Sequence, residues 1–553
     1  MRQNTSKEHQ FNSYLRLSLI AAIALGTLLR FWHLELKPLW LDEVITVLFS
    51  LGLNYNDIPL DVVFSLEKLP QIFSFKKLAC SEIAANLATY STHPPLFFCL
   101  LHSWLQMPFV GITYQGLVWS VRSLPALFGI AAIAAVYWLN VIAFSRTAGI
   151  IAAALMAVSP FSVYLSQEAR HYTLPILLIT LSLAGLMQIQ KDLLQQKLRY
   201  FVFLGWIVIN CLGFYTHYFF ILAFVAEVAT LFAFVFSQRH IVSRRSVLAI
   251  ILSILVMIAS FMPWLLVMLH HFNRSETTWL PSPTHVAPIY QILASWVLML
   301  IALPVENKAW WVVVPVGLVM LVFSVWSARI IFIGLKQIWS PTTYLATQML
   351  LSFTIIVLLE FFAIVYFLGK DLTIAPRYNF VYYPSFCALF GASLAVQNFK
   401  FPLRQAKYVI ILFGLISSIF VITNFVFQKP FTPQQVAQNM NLEPTMPLIM
   451  VVGYQTYQDV ALGFSFAWAL AKIRNHDVST NLAFLSRSQG YESVWQTLSQ
   501  LSPNATPVMW VVAPGLRRRD YPAQLLLSNT LQCQIDTAQH YRIGIPYQLY
   551  RCP

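Results

Sequence analysis

Acidic residues are scarce in this chain: Asp and Glu together number 21 in 553 residues, and all charged residues make up only 10%. A water-soluble domain usually carries about a quarter of its residues as charges, so this composition excludes an ordinary soluble enzyme. The hydrophobic share is 58% and the mean hydropathy is +0.66. Repeated apolar runs of about 18 residues or more are typical of membrane-spanning helices. The sequence therefore predicts an all-α polytopic membrane protein.

Cysteine is also rare, with six residues and no CxxC or Cys/His metal spacing, which argues against a zinc or iron–sulfur site. Cys99, Cys211 and Cys387 lie in apolar segments, and we expect them to be packing residues. Cys533 and Cys552 lie in the polar tail and could form a disulfide if that tail is exported, but the sequence leaves open whether they pair. The net charge of +14 resides largely in short loops between apolar runs, so it records membrane topology and predicts no nucleic-acid partner.

Eleven apolar stretches have the length and composition of spans, and the first follows Arg2, Lys7 and Arg16 without a small-residue cleavage site, so we interpret it as an anchor. The predicted spans are roughly 14–32, 122–144, 147–165, 173–190, 200–217, 218–236, 246–269, 310–333, 342–368, 377–396 and 408–427. Two shorter stretches, about 95–109 and 289–303, suit interfacial or re-entrant helices better than crossings.

The positive-inside rule sets the orientation. With the N-terminus cytoplasmic and both short stretches outside the count of crossings, the following basic residues fall on the inner side: Arg146, Lys191, Lys197, Arg199, Arg239, Arg244, Arg245, Lys336, Lys400, Arg404 and Lys407. The C-terminus is then extracytoplasmic, and the outer loops are about 33–121, 166–172, 270–309 and 369–377. Thirteen crossings with a weaker charge bias remain the alternative.

The last 125 or so residues differ in composition from the spans. Apolar runs at 447–453, 481–485, 507–514 and 543–550 alternate with helical stretches, which is typical of a small α/β domain. No GxGxxG or P-loop pattern occurs there. We therefore predict a transmembrane domain over residues 1–427 and an extracytoplasmic α/β accessory domain without a nucleotide site over residues 428–553.

Unusual polar residues collect on the predicted outer face. Asp42 and Glu43 follow the first span in LWLDEV, and His93 opens HPPLFF in the same loop. The remaining members are Glu168, Arg170 and Tyr172 in SQEARHYT, His217 in FYTHYFF, and Arg377 and Tyr378 in APRYNFVYYP. Charged groups near membrane depth are costly and usually functional.

Each of these residues also has a structural interpretation. Arg170 and Arg377 would snorkel to lipid headgroups, and Glu168 would form a local ion pair with Arg170. His217 would be an interfacial packing residue, and His93 would cap a turn before two prolines. The Asp42–Glu43 pair would be a solvated loop pair.

The chemistry of a lipid-linked phosphate donor would use all of these groups. Arginine offers a fixed fork of donors to phosphate oxygens, and an acceptor hydroxyl needs a carboxylate base within hydrogen-bond reach. A second acidic residue would position a sugar hydroxyl or hold a divalent cation through oxygen ligands, for which Asp42, Glu43 and Glu168 are the candidates.

The order LWLDEV, HPPLFF, SPFSVYLSQEARHYTL, FYTHYFF, WLPSP, PRYNFVYYP after an N-terminal span resembles the polytopic GT-C glycosyltransferases over about residues 14–400. It is most similar to bacterial proteins of glycosyltransferase family 39, the protein O-mannosyltransferases and the aminoarabinose lipid A transferases. The resemblance implies a hexose or pentose carried on a polyprenyl phosphate, transferred with inversion on the extracytoplasmic face of the bacterial plasma membrane.

The resemblance also implies roles for the matching residues. Asp42 would be the base or substrate anchor, with Glu43 beside it. Arg377 would hold the donor phosphate together with Arg170, and the substrate-binding set would be completed by His93, Glu168, Tyr172, His217 and Tyr378. The acceptor would be a glycan, lipid or protein; the tail does not resemble the sugar-binding repeats of eukaryotic protein mannosyltransferases, and His171 departs from the usual residue between the second-loop Arg and Tyr.

Two other classes fit parts of the pattern. A transporter or flippase of lipid-linked sugars would also place polar groups at membrane depth, but it would typically show inverted repeats with interrupted helices, which the sequence does not. A membrane scaffold with an extracytoplasmic binding domain would leave the outer carboxylates without a role.

Overall fold

Apolar helices make up most of the chain, and a mixed sheet forms near its C-terminal end. The computed structural model describes residues 2–108, 110, 116–272, 274, 280–396, 405–475, 477–501, 507–529 and 531–552, with the backbone alone for residues 2–12. Lys400 and Arg404, used above for the orientation, and Trp279 of the WLPSP segment lie outside the described residues.

The bounds of the elements in the described residues are as follows. The helices are α1 Arg2–Phe31, α2 Leu41–Ser50, α3 Leu69–Ile72, α4 Cys80–Tyr90, α5 Leu96–Leu105, α6 Leu117–Ala143, α7 Arg146–Val158, α8 Pro160–Ser166, α9 Thr173–Leu194, α10 Tyr200–Phe214, α11 Phe220–Ser237, α12 Arg244–Phe272, α13 Ala287–Leu300, α14 Trp310–Ile338, α15 Tyr344–Leu368, α16 Tyr383–Leu394, α17 Ala406–Ile422, α18 Pro433–Met440, α19 Tyr457–Ala471 and α20 Tyr491–Gln500. The strands are β1 Val63–Ser65, β2 Leu448–Tyr454, β3 Thr480–Ser486, β4 Val508–Val512, β5 Gln524–Leu527, β6 Leu531–Ile543 and β7 Ile545–Arg551.

The helices are roughly consistent with the predicted spans. Within the described residues, seven helices are long and apolar enough to cross a membrane, or eight if the bent pair α7 and α8 counts as one span. The remaining three predicted spans coincide with the shorter apolar helices α10, α16 and α17. The two stretches predicted to be interfacial form α5, of 10 residues, and α13, of 14 residues. The predicted class of an all-α polytopic membrane protein with a small C-terminal α/β part is confirmed.

The chain divides into two compact units by its internal contacts. The helical unit comprises Met1–Leu34, Ser91–Phe97 and Val121–Phe427, and the sheet unit comprises Glu35–Tyr90, Phe98–Ser120 and Gln428–Pro553. The predicted boundary between 427 and 428 coincides with one of these cuts. The sheet unit in addition takes in most of the long first loop, for which the sequence offered no such assignment.

One predicted span of the helical unit, 147–165, is bent by 60° between α7 and α8. The bend follows from Pro160, which has no N–H to donate to the carbonyl of Met156. Arg30 of α1, which is fully buried, supplies the missing donors: its guanidinium bonds Met156 O at 3.0 Å, Ala157 O at 3.1 Å and Ser162 Oγ at 2.8 Å. This bond set fixes the direction of α8 and of the loop that leaves it.

The sheet unit is built on one seven-stranded sheet in the order β1-β3-β2-β4-β7-β6-β5. Strands β3, β2 and β4 are parallel, and the chain crosses between them through α19 and α20. The central strands β2 and β4 are buried on both faces, as expected for parallel strands covered by helices. Strands β7, β6 and β5 continue the sheet in antiparallel fashion. The short β1 of the first loop pairs antiparallel with β3 at the edge, so the predicted α/β tail is completed by this earlier segment.

Two disulfides lie in the sheet unit. Cys533 of β6 bonds Cys552, a pairing that the sequence left open. Cys99 of α5 bonds Cys80 of α4, so the expectation that Cys99 is only a packing residue is wrong. The expectation relied on the apolar residues around Cys99. Its partner lies 19 residues earlier in a polar segment, which the apolar surroundings of Cys99 do not indicate.

Candidate functional site

The two adjacent carboxylates of the first loop lie at the start of α2, in the sheet unit. Asp42 is half-buried in the first turn, whereas Glu43 is fully buried. The Glu43 carboxylate is 3.5 Å from Nζ of Lys429, which is also buried, and accepts a hydrogen bond from the backbone N–H of Trp40 at 3.4 Å. Neighbouring carboxylates thus have different surroundings: one is accessible to solvent, and the other is enclosed in an ion pair that fixes the helix start.

The helix that carries these carboxylates is anchored inside the sheet unit. Its buried face packs on α19, and Ser465 of α19 donates a hydrogen bond to the carbonyl of Leu39 at 2.9 Å. The rings of Tyr55 and Tyr457 stack with their centroids 3.9 Å apart just beyond α2. Asp42 is therefore presented by a rigid element and not by a mobile loop.

A second group of predicted residues meets in the helical unit. The loop 167–172 after α8 carries Arg170, His171 and Tyr172, and Gln167 fixes this loop by donating to Leu29 O at 3.2 Å and Trp32 O at 2.9 Å. Arg170, His171 and Tyr172 are all buried. Because α8 is held by Arg30 and the loop by Gln167, the end of α1 determines where these three side chains lie.

Three segments bring imidazole and guanidinium groups to this loop, and we call the set His93, Arg170, His171, His217 and Arg377 the cationic cluster. Nη2 of Arg170 lies 3.1 Å from Nε2 of His93. The His171 ring lies 5.2 Å from the His93 ring and 4.7 Å from the His217 ring, measured between centroids. Arg377, in the 3-10 turn Pro376–Val381, acts electrostatically on both His171 and His217.

Aromatic rings line the cluster. Between ring centroids, Tyr172 lies 5.0 Å from His171, and Phe380 lies 4.8 Å from His217. The centroids of Tyr378 and His217 are 6.3 Å apart, and the guanidinium carbon of Arg377 lies 5.6 Å from the centroid of the Tyr378 ring. Rings of this kind hold arginine side chains in fixed orientations. The arginines therefore present their donors in a defined geometry.

The histidines of the cluster are held neutral. Burial lowers the pKa of His93 and of His171 well below the ordinary value, and the neighbouring cations, Arg170 among them, lower both further. Burial, and then Arg170 and Arg377, lower the pKa of His217 to about 3. The fixed positive charge of the cluster thus resides on its arginines. A bound anion would raise the pKa of the neighbouring imidazoles, because an opposite charge favours their protonated form.

Seven of the nine predicted site residues belong to the helical unit, and Asp42 and Glu43 belong to the sheet unit. Glu168 lies on the same loop as Arg170 and is buried, with its carbonyl accepting from the Arg170 backbone N–H at 2.7 Å. Sequence reasoning missed Arg30, Lys429 and His271. Arg30 and His271 sit at the ends of spans, where a polar residue is a signal, and Lys429 directly follows the last span.

In the described part of the chain, no group of three or more His, Cys, Asp or Glu residues has the arrangement of a metal site. The three carboxylates suggested from sequence for a divalent cation, Asp42, Glu43 and Glu168, are not such a group, and Glu43 has a lysine as its ionic partner. No step below uses a metal.

A family model and several solved structures match this chain. Residues 92–265 match a family model described as dolichyl-phosphate-mannose-protein mannosyltransferase. No curated protein sequence matches the chain. Its structure is similar to ArnT from Cupriavidus metallidurans, both in the apo state (TM-score 0.56, 11% identity, 98% of this chain and 98% of that chain) and bound to undecaprenyl phosphate (TM-score 0.54, 12% identity, 97% of this chain and 98% of that chain). An oligosaccharyltransferase from Archaeoglobus fulgidus matches with a TM-score of 0.48 at 12% identity, over 82% of this chain and 64% of that chain.

The matched segment 92–265 contains His93, Arg170, Tyr172 and His217, so the family model covers most of the cationic cluster. The likeness to ArnT extends over nearly the whole length of both chains, the sheet unit included. The resemblance to the polytopic GT-C glycosyltransferases, predicted from the motifs of the sequence, is therefore confirmed: this chain is a multi-pass membrane protein with that fold, and residues 92–265 carry the sequence pattern of the mannosyltransferase family.

Proposed function

We propose that the protein is an inverting glycosyltransferase that moves a hexose or pentose from a polyprenyl-phosphate donor to an acceptor hydroxyl on the extracytoplasmic face of a bacterial plasma membrane. The observation that carries this proposal is the cationic cluster. It joins two arginines to three imidazoles at the ends of apolar helices, where the phosphate of a membrane-embedded lipid would lie.

The charge of the cluster selects for an anion. Arg170 is only 4% exposed, and a guanidinium in such a low-dielectric surrounding attracts an anion more strongly than it would in water. Planar guanidinium groups match phosphate oxygens in pairs, which ammonium groups do not. A phosphate between Arg170 and Arg377 would use the paired donors of both. The crystal structure of ArnT with undecaprenyl phosphate shows that a protein of this fold binds such a lipid, which supports the assignment.

The disulfides support the proposed orientation. Disulfides persist in oxidising compartments outside the cytoplasm. Both of them, Cys80–Cys99 and Cys533–Cys552, lie in segments that the distribution of basic loops assigns to the outer side. Two independent criteria, charge and oxidation, therefore agree on an extracytoplasmic first loop and C-terminal domain, with a cytoplasmic N-terminus.

Asp42 is our proposed general base. It would accept the proton of the acceptor hydroxyl as the oxygen attacks the anomeric carbon, and the polyprenyl phosphate would leave from the opposite side of the sugar, which inverts the configuration. Its half-buried position at the first turn of a rigid helix fits a group that must meet substrate. Glu43 is enclosed with Lys429, so we propose that it holds Asp42 in place through that ion pair.

The remaining predicted residues would bind the donor. Arg377 and Arg170 would hold the phosphate, whose charge rises from about −1 to −2 as the sugar departs. His93 would lie at the same phosphate, and Glu168 would accept hydrogen bonds from sugar hydroxyls. Tyr172, His217 and Tyr378 form the wall against which the sugar or the first isoprene unit would pack.

Reconstitution tests the proposal. Purified protein in liposomes is given a polyprenyl-phosphate sugar with a radiolabel in the sugar, together with a mixture of envelope lipids and glycans as acceptors. We expect Asp42→Asn to lower transfer at least about 100-fold, since a general base contributes about 10²–10⁴. Glu67→Gln, which changes an exposed carboxylate of the same loop, is the matched control and should leave transfer unchanged.

Three results would contradict parts of the proposal. Transfer at the wild-type rate in Asp42→Asn would remove Asp42 as the base. Labelled lipid that crosses the bilayer without loss of its sugar would identify the protein as a flippase. Arg170→Ala and Arg377→Ala variants that keep the wild-type affinity for the donor would remove the cationic cluster as the phosphate site.

A further inference from the structure

One hydrogen bond in the cationic cluster joins two groups that are both usually donors. Nη2 of Arg170 is 3.1 Å from Nε2 of His93, and an arginine nitrogen has no lone pair with which to accept. Nε2 of His93 must therefore be the acceptor and carry no hydrogen. The neutral ring then has its hydrogen on Nδ1, which lies 2.9 Å from Oγ of Ser91. The structure thus defines one tautomer of His93.

The surroundings keep His93 in this neutral form. Among the described residues, the titratable or charged groups in the segments around it are Arg170 and His171 from the loop 167–172, His217 from the loop before α11, His271 from α12, Arg274 after α12, and Arg377 from the 3-10 turn. Glu168 is the acidic member of the 167–172 loop. Burial, and then Arg170, His217 and His271, lower the pKa of His93 well below its ordinary range.

Of the imidazoles in the cluster, His93 is the one placed to respond to a ligand. It is half-buried, whereas His171 is 1% exposed. Nδ1 of His217 already accepts the backbone N–H of Phe219 at 3.0 Å. Nδ1 of His271 lies 2.7 Å from the hydroxyl of Tyr218. Nε2 of His93 is bonded to the Arg170 guanidinium, a group that an anion would draw to itself.

We propose that His93 takes up one proton when a phosphate monoester occupies the cationic cluster, so that Nε2 changes from an acceptor for Arg170 into a donor to a phosphate oxygen. This inference rests on the proposed function in that the phosphate is that of a polyprenyl phosphate. The approaching phosphate draws the Arg170 guanidinium toward its own oxygens and ends the hydrogen bond that requires a lone pair on His93. The negative charge then stabilises the imidazolium.

The proton count balances through the reaction. The donor phosphodiester carries one negative charge. When the bond from the anomeric carbon to the phosphate oxygen breaks, its electron pair stays on that oxygen and the phosphate becomes a dianion. The acceptor hydroxyl releases one proton to the proposed base as its oxygen bonds the anomeric carbon, and the base passes this proton to water before the next cycle. One proton taken from water by Nε2 of His93 neutralises the added charge, and it returns to water when the lipid phosphate leaves.

The consequence is a product affinity that depends on pH. A phosphate monoester has its second pKa at about 6, so at pH 7–8.5 the free lipid is mainly a dianion and the bound state holds one additional proton. Linkage then requires the dissociation constant to rise with pH, by up to about tenfold per pH unit for one proton. His93 would thus make the enzyme release polyprenyl phosphate more readily as the extracytoplasmic pH rises.

Titration calorimetry of the full-length protein in detergent tests this with farnesyl phosphate as the probe. Measurement at pH 7.0, 7.5, 8.0 and 8.5 in buffers of different ionisation enthalpy reports both the dissociation constant and the protons taken up. For wild type we expect a rise of about three- to tenfold per pH unit and an uptake approaching one proton. His93→Gln keeps an oxygen to accept from Arg170 and an N–H to donate to phosphate, but it cannot be protonated. The dissociation constant of His93→Gln for farnesyl phosphate should change less than about twofold per pH unit.

The controls separate the alternatives. His240→Gln removes an exposed imidazole elsewhere in the helical unit and should retain the full pH dependence. His171→Asn should also retain it; loss of the dependence in His171→Asn but not in His93→Gln would overturn the assignment to His93. Binding by wild type without proton uptake would overturn the inference while leaving the proposed function intact.

An arm with inorganic phosphate and a check on folding complete the design. Farnesyl phosphate that fails to bind at any pH, or that binds no better than inorganic phosphate, would contradict the proposed function itself. If His93→Gln does not fold, Ser91→Ala serves in its place. Loss of the Nδ1 partner weakens the neutral tautomer seen here, and should shift the pH dependence without abolishing binding; an unchanged profile would count against the switch.

Discussion

The ion pair between Glu43 and Lys429 links the start of α2 to the residues that follow the last span, and its removal should be costly. Lys429→Met leaves the fully buried Glu43 carboxylate without this cation. At 3.5 Å and an effective dielectric constant of about 20, the Coulomb attraction is about 5 kcal/mol. Breaking a buried pair from one side generally costs about 3–5 kcal/mol, because the remaining charge stays desolvated. We expect this loss in Lys429→Met.

Removing both charges should restore most of the stability. In Glu43→Gln/Lys429→Met the glutamine still has an oxygen to accept the Trp40 N–H, and both charges of the pair are removed. A cycle of the two single variants and the double variant should therefore show a coupling energy of about 3 kcal/mol. The exposed pair Arg519–Asp520 is the matched control: Arg519→Met should cost less than about 1 kcal/mol.

Thermal unfolding of the purified protein in detergent, followed by sugar transfer in liposomes, is the assay. At about 2–4 °C per kcal/mol for domains of about 150–250 residues, Lys429→Met should lower Tm by on the order of 10 °C, and the double variant should recover most of this. If Glu43 only positions Asp42, the double variant should regain activity. If it regains stability but stays inactive, Glu43 acts on substrate. Additive effects of the two substitutions, or a Lys429→Met protein as stable as wild type, would refute the ion-pair reasoning.

Further predictions concern buried residues and a disulfide whose partners are set by the tertiary structure. The pKa of His217 is lowered to about 3 in the folded state from an unfolded value near 6.5, so its contribution to stability is complete above pH 6.5 and is lost as pH falls toward 3. Between pH 7.5 and 5 the free energy of unfolding should fall by about 2 kcal/mol from this group. The melting temperature of His217→Asn, measured over the same pH range, should not show this fall. In Arg30→Lys the lysine cannot reach the five acceptors of the guanidinium, so the 167–172 loop should move and the affinity for the sugar donor should fall. Steady-state kinetics should show a higher KM with a smaller change in kcat. An unchanged KM would count against this role of Arg30. Cys533→Ser/Cys552→Ser should destabilise the sheet unit by about 3 kcal/mol, as expected for a loop of this size, in denaturant unfolding; equal stability would show that the bond contributes nothing. Glu227→Leu should destabilise the helical unit more than Glu227→Gln, because the glutamine retains an acceptor for Ser182 Oγ and Trp206 Nε1, and equal melting temperatures would contradict this.

Much of the fold could be predicted because membranes impose a simple rule. Each span must satisfy its own backbone hydrogen bonds in a medium without water, so its residues form one long apolar run. The strands β2, β3 and β4 were predictable for a related reason, since parallel strands covered on both faces are also continuous apolar runs. Strands β5 and β6 were missed because they are half-exposed and polar, and β1 was missed because three residues carry no periodic signal.

The candidate site was only partly predictable. Polar residues at the ends of spans marked Arg170, His217 and Arg377, because a charge at that depth requires a partner. The partnership of Arg30 with the broken helix was not predictable, since Pro160 signals a bend but does not say which donor will satisfy the freed carbonyls. Lys429 looked like an ordinary residue at the end of a span.

The sequence by itself determined that the chain spans the membrane many times and that its scarce carboxylates and its arginines follow a glycosyltransferase-like pattern. These conclusions depend on composition and local order, which are properties of the chain before it folds. Tertiary structure alone decided that Glu43 is enclosed with Lys429, that the 35–90 segment belongs with the C-terminal sheet, and that His93 accepts a hydrogen bond from Arg170. Such contacts join residues 77 or more positions apart, and the packing of separate elements, which no local pattern encodes, sets both their distances and their burial.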